Sequence, residues 1–167
     1  LVFSGGGVKC FIFIGFIKAL EEKKMINNIK EVIGTSAGSL IATLLCLDYK
    51  YIELEEILIN ININNFKNIN SENILKFFEN YGIDDGDKFS RIITILLKAK
   101  TNNENITFNE LYNLTKKKLI ISATCVNTMN IEYFDYINNP DMKIHDAIMM
   151  SICVPMFYKP IKYNARI

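Results

Sequence analysis

Two apolar runs near the start of the chain each break at a glycine-rich turn and resume with helical spacing, and this repetition restricts the fold more than any other feature. "LVF" at 1–3 stops at "SGGG" and leads into an apolar-periodic segment from Val8 to about Lys24. "IKEVIG" at 29–34 then meets "TSAG" and continues as "SLIATLLCL". Strand, glycine turn and helix, twice in succession, predict an α/β domain with a mainly parallel central sheet. Both turns then fall at strand C-terminal ends and share one edge of the sheet, where ligand sites form.

The rest of the chain fits around that start. From about Lys50 to Asn105 it reads as a mostly helical, asparagine-rich insertion; "ILININI" slips from helical spacing into alternation and is left unassigned, and "GIDDG" is a turn leading a helix from Asp87 to Lys98. Thr107 and Glu110 in "TFNE" form a capping box ahead of a short helix to about Thr115. "KLIISATCV" and "IEYFDY", joined by "NTMN", predict a hairpin. "IHDAIMMSIC" is a last helix, and "KPIKYN" opens a further strand. With 167 residues, half of them apolar, one domain spanning 1–167 is expected.

A net charge of +1, with lysines spread along the chain and one short run at Lys116 to Lys118, gives no sign of a phosphate-tracking basic face, so no nucleic-acid partner is expected. Cys10, Cys46, Cys125 and Cys153 lie far apart in apolar stretches with no C-x-x-C spacing. They read as buried reduced thiols in a cytoplasmic protein, with no metal site. The apolar run from Cys10 to Ile17 is too short to cross a bilayer. Since the chain opens on a core strand at Leu1 without a start methionine or signal peptide, it is expected to be a piece of something longer.

The chemistry concentrates at the two turns. In "GTSAG" Ser36 stands at the strand-to-helix crossing, with Gly34 and Gly38 removing Cβ atoms where the two elements approach and Thr35 and Ala37 completing the elbow. A serine there is exposed, and unpaired helix N-terminal N–H groups beside it favour developing negative charge. A helix-capping serine in a tight turn is the alternative. In "SGGGVK" three glycines leave backbone N–H groups unobstructed, as an oxyanion hole or a phosphate cradle requires. A dinucleotide fingerprint is not met: Cys10 stands where the third glycine belongs, and Glu31 precedes the second strand instead of ending it. No cofactor is expected.

The two turns, with "GIDDGDKF", "TFNELYNLTKKKLIISATCVNT", "EYFDY" and "PDMKIHDAIMMSICVPMFYKPIKY" in that order, resemble the patatin-like phospholipases over nearly all of the chain. The resemblance implies a three-layer α/β/α fold and a serine lipid acyl hydrolase that cleaves phospholipid esters through a Ser-Asp dyad, needing neither histidine nor metal. It implies Ser36 as nucleophile; Gly5, Gly6, Gly7 and Val8 as oxyanion-hole donors; Lys9 at the family's basic position; an acyl-ester lipid substrate; and transient contact of a cytoplasmic protein with membrane surfaces. Cys10 departs from the final glycine of that turn.

The dyad aspartate, in an Asp-Gly-Gly or Asp-Gly-Ala turn after the "P-x-F" segment at Pro155 to Phe157, does not occur before Ile167 and is expected beyond it. Asp85 with Gly86 is the only Asp-Gly pair and reads as a turn. His145, the single histidine, sits at a helix start and reads as a surface or capping residue; a Ser-His-Asp route with Asp135 or Asp141 is the alternative. The helical middle, with Phe66, Phe77 and Phe78, is a candidate cover over the serine or an ordinary packing insertion. Two other functions fit the same architecture: a non-catalytic lipid-binding or regulatory module, and a soluble esterase or thioesterase.

Overall fold

The computed structural model describes residues 1–60, 75, 77–163 and 167. Among these residues the strands are β1 (Val2–Phe3), β2 (Glu31–Thr35), β3 (Gly82–Asp84), β4 (Lys118–Cys125), β5 (Asn130–Phe134) and β6 (Met156–Tyr158). The helices are α1 (Ile12–Glu22), α2 (Ala37–Cys46), α3 (Tyr51–Asn60), α4 (Phe77–Asn80), α5 (Asp87–Thr101), α6 (Phe108–Thr115) and α7 (Ile144–Ile152), with 3-10 turns at Gly7–Phe11 and Ile26–Asn28. The main sheet runs β1-β2-β4-β5, parallel except for the antiparallel β4–β5 hairpin. A mixed α/β fold with a mainly parallel sheet is therefore what the two strand–turn–helix units build.

The physical reasons are local. β4 buries Leu119, Ile120, Ile121 and Ser122 in succession. Successive strand residues point to opposite faces, so helices cover both sides of the sheet there. α2 packs on β1, β2 and β4, and α7 on β4 and α2. α6 begins at the expected capping box: Glu110 N–H donates to Thr107 Oγ1 at 3.2 Å and Thr107 N–H to Glu110 Oε2 at 2.8 Å. Lys117, from the lysine run, is anchored on Asp48 and the Leu45 carbonyl at the end of α2, so its charge complements the helix C-terminus.

The last strand differs from expectation. "KPIKYN" forms no strand among its described residues; β6 comes earlier, at Met156–Tyr158, and pairs in parallel with β3 inside the stretch read as a turn. The pairing needs Gly82, where a Cβ would stand 2.4 Å from Lys159 N and from the Tyr158 carbonyl carbon. Within "ILININI", Ile57 to Asn60 belong to α3; the remainder and Phe66 lie outside the described residues.

Candidate active site

Ser36 leaves β2 and precedes α2 with φ +54° and ψ −130°, a backbone region that residues with a Cβ adopt only when their surroundings hold them there. What holds it is the close passage of three backbone segments. A Cβ on Gly34 would lie 2.5 Å from the Gly38 carbonyl oxygen and from Ser39 Cα, and one on Gly38 would lie 2.4 Å from the Phe3 oxygen. The first turn of α2 is thus pressed onto the end of β1, which brings the glycine turn to the serine. A Cβ on Gly5 would be 3.2 Å from Ser36 Cβ and 3.9 Å from Oγ.

The structure brings the two motifs together as the sequence predicts. The N–H groups of Gly5 and Gly6 have no hydrogen-bond partner among the described residues. Gly7 (φ +53°) and Val8 open a 3-10 helix, whose first N–H groups have no acceptor within it. Lys9 is exposed, and its N–H closes that turn on the Gly6 carbonyl at 3.1 Å. Thr35 ends β2 with its hydroxyl 2.6 Å from Ser122 Oγ, and Ala37 begins α2.

Beside Ser36 lies an apolar cavity of about 260 Å³, walled by Leu40 and Leu44 of α2, Leu54 and Ile57 of α3, and Phe89, Ile92 and Leu96 of α5. Val8 and Val154 line it while remaining more than half exposed, which makes its rim apolar as well. Cys10 and Tyr158, both in its wall, ionise less readily than usual: burial raises each, and the Asp84 charge raises Tyr158 further. A larger cavity of about 650 Å³ between β5 and the segment after α7 reaches neither Ser36 nor the glycine turn.

The alternative bases do not meet Ser36, whose Oγ makes no hydrogen bond among the described residues. His145 Nε2 lies 2.8 Å from Ser90 Oγ and Nδ1 3.0 Å from Asp146 Oδ1, so the histidine bonds neither Asp135 nor Asp141 and links α7 to α5 instead. Asp135 Oδ1 accepts the N–H groups of Ile137 and Asn138, and Asp85 Oδ1 accepts the N–H of Asp87; both carboxylates serve their own turns. Asp141 is exposed. Of the aromatic residues of the candidate cover, Phe78 is 85% exposed and lies outside the cavity wall.

Sequence reasoning missed Ser151. Its Oγ accepts the Ser36 N–H at 2.7 Å and donates to the Ser122 carbonyl at 2.6 Å. A signal was present: Ile144, Ala147, Ile148 and Ile152 make one buried helical stripe, and Ser151 sits on it at helical spacing. A hydroxyl on an apolar stripe requires a partner.

Probable lipid hydrolase 463L of Invertebrate iridescent virus 6 is 31% identical over 169 residues, covering 98% of this chain and 56% of that protein. The chain spans about half the length of the viral and bacterial curated relatives it matches. Among solved structures, VipD from Legionella pneumophila superposes with a TM-score of 0.70 at 16% identity, covering 98% of this chain and 44% of that one. The SpcU–ExoU complex from the type III secretion system of Pseudomonas aeruginosa gives 0.68 at 22% identity, covering 92% and 38%; at these identities the likeness is one of fold. The family model described as Patatin-like phospholipase matches residues 1–167, and the chain belongs to that lipid hydrolase family.

Proposed function

We propose that this chain carries the nucleophile, oxyanion hole and acyl pocket of a hydrolase that cleaves acyl esters of phospholipids. The observation that carries the reading is the strained Ser36, its Oγ unbonded among the described residues, standing between an unobstructed glycine turn and an apolar cavity. Ser36 Oγ attacks the ester carbonyl and gives its proton to a general base. The carbonyl oxygen becomes an oxyanion facing the turn that carries the N–H groups of Gly5, Gly6, Gly7 and Val8, where loss of one donor costs about 3 kcal/mol in the transition state. Collapse expels the alcohol, which leaves with the proton from the base, and water then releases the fatty acid from the acyl-serine.

The base is the dyad aspartate implied by the family resemblance, carried by chain beyond Ile167. Its carboxylate needs partial burial to raise a pKa of about 3.9 toward the working range. The acyl chain enters the cavity beside Ser36, where each buried methylene contributes about 0.8 kcal/mol, and the apolar rim at Val8 and Val154 meets the lipid surface.

A fluorophosphonate probe applied to the full-length protein tests the reading. The expected result is one label, on Ser36, lost in Ser36→Ala, together with faster hydrolysis of phospholipid vesicles than of a soluble short-chain ester. Absence of labelling would favour a non-catalytic lipid-binding module, and a preference for the soluble ester would favour an esterase.

A further inference from the structure

We infer that Ser151 is a positioning residue for the nucleophile, its hydroxyl holding the Ser36 backbone in the conformation that presents Oγ. The inference rests on Ser36 being the nucleophile.

β2 and β4 are in parallel register up to the pair Thr35–Ser122, where the ladder stops. Just past that point Ser151 Oγ bridges the two strands, taking the Ser36 N–H at 2.7 Å and giving its proton to the Ser122 carbonyl at 2.6 Å. The bridge has a fixed polarity. A carbonyl oxygen only accepts and an amide N–H only donates, so the Ser151 proton points at Ser122 and a lone pair faces Ser36. Ser151 therefore has no proton left to offer Ser36 Oγ.

The other backbone group of Ser36 is tied as well. Its carbonyl accepts both the Ser39 hydroxyl at 2.6 Å and the Ser39 N–H at 2.8 Å. With both main-chain groups pinned at a positive φ, the side chain alone has no partner among the described residues. Ser39 acts from the same helix, whereas Ser151 reaches in from α7, 115 residues away in sequence. The pose of the nucleophile thus depends on how α7 sits on β4. Without the Ser151 hydroxyl, the Ser36 N–H loses its acceptor and the turn is free to relax toward a less strained φ.

The test compares the full-length wild type with Ser151→Ala and Ser151→Thr, using a soluble short-chain ester, a fluorophosphonate, and amide hydrogen exchange at Ser36. Ser151→Ala is expected to lower kcat and the phosphonylation rate by about ten- to a hundredfold with KM little changed, as a misplaced reacting group does. Ser151→Thr, which keeps the hydroxyl, restores both. Exchange of the Ser36 amide speeds up by about tenfold in the alanine variant and not in the threonine variant, the factor a single hydrogen bond supplies. Wild-type kcat in Ser151→Ala, a loss expressed only in KM, no rescue by threonine, or unchanged exchange would each overturn the inference. If the wild type itself is not labelled at Ser36, the hydrolase reading fails, and the exchange comparison still decides whether Ser151 holds the turn.

Discussion

Replacing Gly38 by alanine tests whether the site is made by the crossing of backbones. The added Cβ would stand 2.4 Å from the Phe3 carbonyl oxygen, 2.6 Å from that of Ser4 and 2.8 Å from the Phe3 carbonyl carbon. All three are main-chain atoms, so no side-chain rotation relieves the overlap. Ordinary contact begins near 3.4 Å, which means α2 and the end of β1 must separate by about 1 Å. β1 has only two paired residues, so the strand end yields and carries the glycine turn away from Ser36. Overpacking of this kind costs about 1–3 kcal/mol, and shifting the fully buried Phe3 ring with the strand places it at the upper end. A cost of about 3 kcal/mol lowers Tm by roughly 6–12 °C in a domain of this size, and a 1 Å displacement of the oxyanion donors lowers kcat by about a hundredfold. Gly15→Ala is the control: Gly15 lies exposed within α1 with nothing within 4 Å of an added Cβ, and it gains about 0.5–1 kcal/mol from helix propensity. Thermal unfolding and short-chain ester hydrolysis, measured on both variants, decide the matter. A Gly38→Ala protein as stable and as active as Gly15→Ala would refute the reasoning.

Three further outcomes follow from the geometry. Ser36→Gly should be inactive but more stable than Ser36→Ala by about 1 kcal/mol or more in denaturant unfolding, because glycine relieves the positive φ; equal stabilities would mean the turn is not strained. Ile92→Phe, in the cavity wall, should lower kcat/KM for a decanoyl ester relative to a butyryl ester by about tenfold or more, and an unchanged chain-length profile would remove this cavity as the acyl site. Cys46 is fully buried, and burial pushes its thiol up to about 12 from the ordinary 9.0. The unfolded chain therefore releases this proton first, so the stability contribution is complete below pH 9.0 and is lost as pH climbs toward 12, by about 1.4 kcal/mol per unit. Denaturant midpoints at pH 8 and 10 should converge in Cys46→Ala relative to wild type, and at pH 8 a thiol reagent should reach half-buried Cys153 well before Cys46.

How much of this was legible depended on the range of the interaction. The two strand–turn–helix units, the capping box at Thr107 and Glu110 and the β4–β5 hairpin were readable because each rests on neighbours in sequence. β3 and β6 were not: three residues each are too few to show a period of two, and their pairing joins Gly82 to Met156. The site divides the same way. Ser36, Gly34 and Gly38 sit in one motif, and the glycine turn announced itself through residues with no side chain. The partner of His145 was not readable, because Ser90 is 55 residues distant on another helix.

The hydroxyls around Ser36 show why the second half of a site hides. Thr35, Ser39, Ser122 and Ser151 come from β2, α2, β4 and α7; Ser39 bonds the Ser36 carbonyl three residues back, whereas the other three bond partners that only the folded chain brings near. In the sequence each appears as a small polar residue in an otherwise apolar segment. That pattern is itself informative, because a buried hydroxyl without a partner costs about 1–3 kcal/mol, so a serine on the inner stripe of a helix marks a bond to something across the core. Here the glycines let the backbones cross, the crossing forces Ser36 into its positive φ, and the hydroxyls hold what the crossing strains. A change at Ser151 displaces Ser36 and a change at Gly38 displaces the glycine turn that faces it, so the two should converge on one defect, a lost alignment of nucleophile and oxyanion donors, although neither is expected to touch the substrate. Because they act on one alignment, their effects on kcat should combine to less than the product of the two, and independent losses would mean that Ser151 acts elsewhere.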